Sequence, residues 1–221
     1  MGNRRKSREM AIQALYYMDS ANSFSERSLI LFCQNFNTPE SVLPFLLKLV
    51  RGVVEARNDI DALIERFSSN WKVPRMTCVD RNVLRIAVFE MCCCDDIPVK
   101  VSINEAIDLG KKYGSDESGA FVNGILDSIR IAMDQDPIHI DISRESWERI
   151  NRISLPDLWE STILPPAPVY QSHRNGPMTE NDEFENDIMS WTDESEPGED
   201  AAGRPKRRTI VKSSADKRMK R

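Results

Sequence analysis

The stretch that decides the fold of this chain runs from Val83 to Ile129 and reads VLRIAVFEMCCCDDIPVKVSINEAIDLGKKYGSDESGAFVNGILDSI. Apolar residues recur in it at the three- and four-residue spacing of amphipathic helices, without the strict alternation of strands. Turn signals at Asp95–Pro98 and at Gly114 divide it into three helical segments. The stretch therefore predicts three consecutive helices and an all-α fold.

The first of these segments, about Thr77–Cys94, has an unusually wide apolar surface. A helix that is apolar around so much of its circumference is expected to lie at the centre of the fold. Thr77 and Asp80 at its start resemble an N-terminal capping box. The apolar residues are Val83, Leu84, Ile86, Ala87, Val88, Phe89 and Met91.

The other two segments have clear start and stop signals. Ser102 and Glu105 form the S-x-x-E pattern of a capping box, so a helix is expected to begin at Ser102. It is expected to end at Gly114, a favoured residue type after a helix. The last helix begins just after this glycine and stops before Pro137.

Three more helices are predicted on the N-terminal side, at about Arg4–Ser20, Ser25–Phe36 and Glu40–Asn70. Gly52 is expected to mark a close helix crossing or a bend, and Gly124 a close approach by a neighbouring helix. Together the six helices predict an all-α domain over residues 1–136.

The helical pattern and the composition of the chain change after residue 136. Residues 137–160 could form a short helical extension, centred on a possible helix at 143–153. Residues 161–221 are expected to be largely disordered, since they are rich in proline and contain an acidic block followed by a basic block. Residues 178–200 contain ten acidic and no basic residues, whereas residues 204–221 contain nine basic residues and one acidic residue.

Composition excludes several classes of protein. No apolar stretch approaches the ~20 residues needed to span a bilayer, so no membrane contact and a cytoplasmic location are expected.

The adjacent Cys92, Cys93 and Cys94 are interpreted as reduced thiols, in preference to a redox-sensitive or metal site, because no CxxC pair or nearby histidine accompanies them. No metal or cofactor is expected. Phosphate-loop, GxSxG and HExxH motifs are missing, so no enzymatic activity is expected.

Two features suggest contact with nucleic acid. The chain starts with a basic run in the first turns of its first helix, comprising Arg4, Arg5, Lys6 and Arg8. Such a run could bind phosphates or simply be a solvated terminus. Phe121 lies near a helix N-terminus and the pair Lys111 and Lys112. It could stack on an unpaired base or pack in the core.

Four stretches, taken together, resemble the NusB family of bacterial transcription antitermination factors. They are Arg4–Glu9 with Ala14–Tyr16, Val83–Met91, Ile97–Ile107 and Phe121–Asp127. The resemblance covers about Arg4–Ile129 and implies two small helical bundles packed together, with no enzymatic activity. It also implies pairing with NusE, a small-subunit ribosomal protein, and binding to boxA-type single-stranded RNA, notably in ribosomal RNA leaders. Bound to RNA polymerase with other Nus factors, such a pair suppresses termination.

The resemblance further implies roles for individual residues. The arginine-rich first helix of the family corresponds to the basic run, and its RNA-contacting phenylalanine corresponds to Phe121. Tyr16 and Asp80 stand at positions that face NusE. Two departures are visible: Ala120 stands where a lysine often precedes the phenylalanine, and Lys6 replaces an arginine and loses its bidentate geometry.

Two alternatives remain. A NusB-like domain can precede a ribosomal RNA cytosine methyltransferase, but the about 85 residues after residue 136 contain neither a Gly-rich cofactor loop nor a reactive Cys-Pro pair. The second alternative is a helical protein-interaction adaptor without RNA binding. It would bind NusE but have no affinity for RNA.

Overall fold

A computed structural model describes residues 2–36, 38–69 and 71–152. Within these ranges the chain forms eight α-helices, a short 3-10 turn at Val73–Arg75 and no strand, which confirms the all-α prediction. The helices are α1 (Asn3–Ser20), α2 (Glu26–Asn35), α3 (Leu43–Glu55), α4 (Arg57–Phe67), α5 (Cys78–Cys93), α6 (Val99–Tyr113), α7 (Ser118–Gln135) and α8 (Arg144–Asn151).

Helix α5 is the centre of the fold, as its wide apolar surface predicts. Every residue from Asn82 to Met91 is buried. Helices α1, α3, α4, α6 and α7 all pack against α5. On one side α1 packs with α2 and α3, and on the other α7 packs with α4 and α6. The fold is therefore the pair of small packed bundles that the resemblance implies, with α5 shared between them.

The single helix expected over residues 40–70 is wrong, because α3 ends at Glu55 and α4 begins at Arg57. Ala56 lies between them with φ −94° and ψ 13°. A straight helix of 30 residues would be about 45 Å long, which exceeds a small bundle. The break lets α3 pack against α1 while α4 packs against α5 and α7. It contains no glycine or proline, so tertiary packing produces it.

The start of α6 also differs from the prediction. The helix begins at Val99, with Pro98 as its N-terminal cap residue, so Ser102 is inside the helix. Its hydroxyl donates to the buried carboxylate of Glu90 at 2.8 Å instead of capping the helix. At α5, in contrast, the Thr77 hydroxyl accepts from the Asp80 N–H at 3.1 Å, so this cap is confirmed.

The two glycines have different surroundings. A Cβ atom at Gly52 would lie 2.0 Å from Phe89 Cζ, so α3 and α5 cross closely at this point, as expected. A Cβ atom at Gly124 would meet nothing within 4 Å, and the expected close approach there is wrong. Gly124 is exposed because the buried face of α7 is formed by other residues, which are Val122, Ile125, Leu126 and Ile129.

Helix α8 lies within the expected range 143–153 and packs against α3. The Ser143 hydroxyl caps it by accepting from the Ser146 N–H at 3.1 Å. Ser146 Oγ in turn donates to Glu55 Oε1 at 2.6 Å, and the Trp147 ring lies 6.2 Å from that of Phe89. The predictions for residues 153–160 and for the tail 161–221 fall outside the described residues.

Candidate nucleic-acid interface

Arg8, one of the four basic residues at the start of α1, points into the protein. Its side chain is 5% exposed, and its Nε and Nη2 donate to the two Glu90 carboxylate oxygens at 2.7 and 2.9 Å. The guanidinium also lies 5.4 Å from the centre of the Phe45 ring. This bidentate pair joins α1 to α5, so the geometry assigns Arg8 to packing between helices and keeps it away from solvent.

The other three basic residues of α1, in contrast, reach the surface. The side chains of Arg4, Arg5 and Lys6 are 58%, 32% and 47% exposed. Arg4 pairs with Asp96 at 2.7 Å and Arg5 with Asp108 at 3.1 Å. The hydrogen bond that Arg5 donates to the Asp108 carboxylate raises the pKa of Arg5. Because exposed ion pairs contribute only about 0–1 kcal/mol, these cations can exchange their carboxylate partners for phosphates at little cost.

Glu9 brings cations from two helices together. Its carboxylate is 2% exposed and lies 3.8 Å from Lys6 Nζ and 3.0 Å from Lys112 Nζ. Burial lowers the pKa of Lys112, but hydrogen bonds to Tyr113 and Glu9 outweigh it, and the net shift is upward. The start of α1 and the end of α6 therefore present neighbouring ammonium groups around one buried carboxylate.

Lys111 connects this cationic surface to the start of α7. It is exposed, and its aliphatic chain lies over Gly119, where an added Cβ would be 2.7 Å from Lys111 Cγ. Phe121 is in the same first turn of α7 and is half-buried. The structure thus brings the predicted lysine pair and the predicted aromatic residue to one region.

Phe121 has an aromatic neighbour, Trp71, that comes from a distant part of the chain. Trp71 is 52% exposed, and its ring centre lies 5.9 Å from that of Phe121, with the ring planes inclined by 75°. It follows α4 and precedes the 3-10 turn, next to Lys72. In the sequence, an aromatic residue directly before a lysine in a short connection could have suggested nucleic-acid contact. That Trp71 lies near Phe121, however, follows only from the fold.

Tyr16 and Asp80, the residues expected to face a protein partner, belong to adjoining helix ends. Tyr16 is half-buried near the end of α1, and Asp80 is 6% exposed in the first turn of α5. Asp19, one turn after Tyr16, accepts from Arg81 Nε at 2.6 Å and from Asn82 at 3.2 Å. These bonds hold the end of α1 against the start of α5. Asp80 Oδ1 is buried and has no hydrogen-bond partner among the described residues.

The described residues contain no group of three or more His, Cys, Asp or Glu side chains placed to hold a metal ion. The three adjacent cysteines are free, and burial raises the pKa of Cys92 and Cys94 to about 11 and that of Cys93 to about 12. At neutral pH these thiols are therefore protonated and weakly nucleophilic. Across the same ranges, no helix is both long and apolar enough to cross a membrane.

Solved structures with the same fold include NusB proteins. The chain is 36% identical to T. maritima NusB, with a TM-score of 0.52, and the match covers 66% of this chain and 96% of that one. It is 28% identical to a chain in the crystal structure of antitermination factors NusB and NusE in complex with dsRNA, with a TM-score of 0.54 over 60% of this chain and 98% of that one.

Sequence relatives agree with the structural matches. The transcription antitermination protein NusB of Desulforapulum autotrophicum is 54% identical over 133 residues, which are 59% of this chain and 93% of the relative. That of Desulfatibacillum aliphaticivorans is 52% identical over 131 residues, which are 59% of this chain and 92% of the relative. The sequence profile of the NusB family matches residues 5–130. Since this match spans more than half of the chain, the chain belongs to the NusB family of transcription antitermination proteins.

Proposed function

We propose that this protein is a non-enzymatic antitermination factor that binds boxA-type single-stranded RNA together with NusE. Within an RNA polymerase antitermination complex it suppresses termination, notably in ribosomal RNA operons. Transcription in bacteria takes place in the cytoplasm, so the protein acts there. The proposal depends most on one observation: exposed cations from α1 and α6 meet around Glu9, and Lys111, next to one of them, lies over the first turn of α7, which contains Phe121.

The RNA-binding surface comprises the exposed cations and Phe121, which are Arg4, Arg5, Lys6, Lys111, Lys112 and Phe121. The cations neutralise phosphates and release counterions, which supplies affinity without sequence preference. An aromatic ring stacks well only on a base that is not paired within a duplex. The combination favours single-stranded RNA over duplex RNA. Arg8 is not included in this surface, because Glu90 holds it inside the protein.

The NusE-binding surface is proposed at the junction of α1 and α5. Tyr16 is half-buried and offers part of an aromatic side chain, and Asp80 has a buried carboxylate oxygen without a hydrogen-bond partner among the described residues. An unsatisfied buried acceptor costs about 1–3 kcal/mol, and a donor from NusE that reached this oxygen, on a shift of the first turn of α5, would recover that cost. One solved relative is in a complex with NusE and dsRNA, and the presence of NusE there supports this partner.

The test is fluorescence anisotropy of a labelled boxA-like RNA, with and without NusE, over a range of salt concentrations. NusE is expected to tighten binding. Phe121→Ala should weaken binding by ~1–3 kcal/mol through the loss of stacking, whereas the control Phe121→Tyr should retain most of the affinity. Neutralising Arg4, Arg5 and Lys6 together should reduce the slope of log K against log salt by up to about 2.

The adaptor without RNA binding remains the second candidate. It is favoured by the observation that Arg4, Arg5 and Lys112 already have carboxylate partners, and that Ala120 is exposed where a lysine often stands. It predicts NusE binding without any measurable RNA affinity. Gain of RNA binding by Ala120→Lys alone, in a protein that otherwise binds only NusE, would support the adaptor.

A further inference from the structure

We propose that Trp71 is a second base-stacking residue, which together with Phe121 holds two nucleotides of a single-stranded RNA. This inference rests on the proposed RNA-binding function and adds a residue from a different part of the chain. Trp71 lies between α4 and the 3-10 turn, 50 positions before Phe121 in the sequence.

The exposure of Trp71 needs an explanation. Within the described residues, three large apolar side chains are exposed, and they are Trp71, Val101 and Ile131. Trp71 is the aromatic one and the most exposed of the three, at 52%. Leaving so much apolar surface in water loses the free energy that burial would supply, about 25 cal/mol per Å². A ligand that covers the ring recovers it.

The backbone of Trp71 is held in place on both sides. Its N–H donates to the Ser68 carbonyl at 3.1 Å, and its own carbonyl accepts from the Ser68 hydroxyl. Two residues later, Val73 is 2% exposed, and its N–H donates to Glu65 Oε1 at 3.1 Å. Because the segment is anchored, the indole can bind a base without ordering a loop, which would otherwise weaken affinity.

Exposed cations lie near both aromatic residues along the chain or on the first turn of α7. Lys72 follows Trp71 directly, with a side chain 70% exposed that pairs with Glu65 at 2.8 Å, and Arg75 in the 3-10 turn is exposed. Lys111 lies over the first turn of α7 next to Phe121. Sites for single-stranded nucleic acid combine such cations, which follow the phosphates, with aromatic rings on which the bases stack.

The angle between the rings indicates which form of RNA fits. The Trp71 and Phe121 planes are inclined by 75°, whereas successive bases in a continuous stack are parallel. Two bases stacked on these rings must therefore be turned sharply relative to each other. A duplex cannot make this turn without breaking its stacking, while a single strand can.

The first experiment compares affinities for a single-stranded boxA-like RNA, using the full chain with NusE. Trp71→Ala should weaken binding about 5- to 150-fold, as expected for the loss of one stacked base. Trp71→Phe should retain most of the affinity, and the control Ile131→Ala, which removes a different exposed apolar side chain, should bind like wild type. Since stacking releases no counterions, the salt slope of Trp71→Ala should equal that of wild type.

The second experiment observes the Trp71 ring directly. Replacing Trp147, Trp159 and Trp191 by phenylalanine leaves Trp71 as the sole tryptophan of the chain. Single-stranded RNA should then quench its fluorescence, and a hairpin duplex of the same sequence should quench it much less. Circular dichroism and urea unfolding of each variant would show that it remains folded.

The outcomes separate this inference from the proposed function. If wild type binds RNA and Phe121→Ala weakens binding, but Trp71→Ala binds like wild type, the assignment of Trp71 is overturned and the proposed function stands. If Trp71→Ala weakens only the affinity for NusE, Trp71 contacts protein and the assignment is overturned as well. If the full chain binds no RNA in the presence of NusE, the proposed function and the inference fail together.

Discussion

Arg8 and Glu90 form a bidentate ion pair in the core, with Nε–Oε1 and Nη2–Oε2 distances of 2.7 and 2.9 Å and almost no exposure of either side chain. Ser102 Oγ of α6 donates to the same carboxylate. One charged cluster therefore joins α1, α5 and α6. Two charges so deeply buried are tolerable only because each satisfies the other.

The first prediction is that Arg8→Ala lowers the free energy of unfolding by about 3–5 kcal/mol, because the Glu90 carboxylate is left buried without its cation. Urea denaturation monitored by circular dichroism measures this. The paired replacement Arg8→Met with Glu90→Leu removes both charges and should recover most of the loss. A cost below about 1 kcal/mol for Arg8→Ala alone would contradict the buried pair.

The second prediction concerns the crossing of α3 and α5. Gly52→Ala would place a Cβ atom 2.0 Å from the ring of the fully buried Phe89, so we expect a loss of about 1–3 kcal/mol or more from overpacking. The matched control is Gly124→Ala, whose Cβ meets nothing within 4 Å and which should stabilise α7 by up to about 1 kcal/mol. Thermal unfolding of the two variants should therefore shift in opposite directions.

Most of the fold could be predicted because helical periodicity is a local property of the chain. The apolar stripe of α5 identified the central helix correctly, and its threonine cap formed as expected. The predictions were wrong where contacts with residues distant in the sequence determine the local structure. The break at Ala56 has no local signal, since it depends on what α3 and α4 pack against. Ser102 matches a capping motif, yet its hydroxyl is taken by Glu90 from another helix.

The candidate site was predictable to a smaller extent. Composition identified the basic run of α1, but charge alone cannot tell which cations face water. Arg4 and Arg8 share one face of α1 and both lie over the Phe45 ring, but Arg8 is buried one turn further into the bundle, while Arg4 in the first turn stays exposed. The proximity of Trp71 to Phe121 joins residues 50 positions apart, and no sequence spacing contains that information.

The third prediction is that α8 stabilises the domain although it follows the family match at residues 5–130. A chain that ends at residue 136 loses the Trp147 ring beside Phe89 and the buried Ile142 and Ile150. We expect its free energy of unfolding to fall by at least about 3 kcal/mol relative to a chain ending at residue 152, the lower end for two buried apolar side chains at about 1.5–3 kcal/mol each. Equal urea midpoints for the two chains would show that α8 contributes nothing.

The fourth prediction is a pH dependence at Asp19. Burial opposes ionisation, but hydrogen bonding to Arg81 and the charge of Arg85 outweigh it and hold the pKa of Asp19 below its usual 3.8. A depressed pKa in the folded state stabilises the protein above the unfolded-state pKa, and this stabilisation is lost as the pH falls through the folded-state pKa.

Asp19→Asn should therefore reduce the free energy of unfolding by about 1.5–3 kcal/mol at pH 7, the range for hydrogen bonds to charged groups. The difference from wild type should shrink as the pH falls below about 4. Urea titrations from pH 7 to pH 2.5 measure it, with substitution of the exposed Asp141 by asparagine as the control. If the difference in unfolding free energy between wild type and Asp19→Asn stays constant over this range, Asp19 is not ionised beside Arg81 and Arg85.

The fifth prediction separates the two arginines Arg5 and Arg8 by the salt dependence of RNA binding. Arg5 is 32% exposed and meets only carboxylates near the surface, so a phosphate can replace them. Arg5→Gln should weaken binding and reduce the slope of log K against log salt by about 0.7, the value for one phosphate contact to a single strand.

As the control, the paired replacement of Arg8 and Glu90 by Met and Leu removes a cation from the same helix without changing the net charge. Because Arg8 cannot reach a phosphate from inside the core, the slope of that variant should equal the wild-type slope. A reduced slope in the paired variant would mean that Arg8 leaves Glu90 when RNA binds.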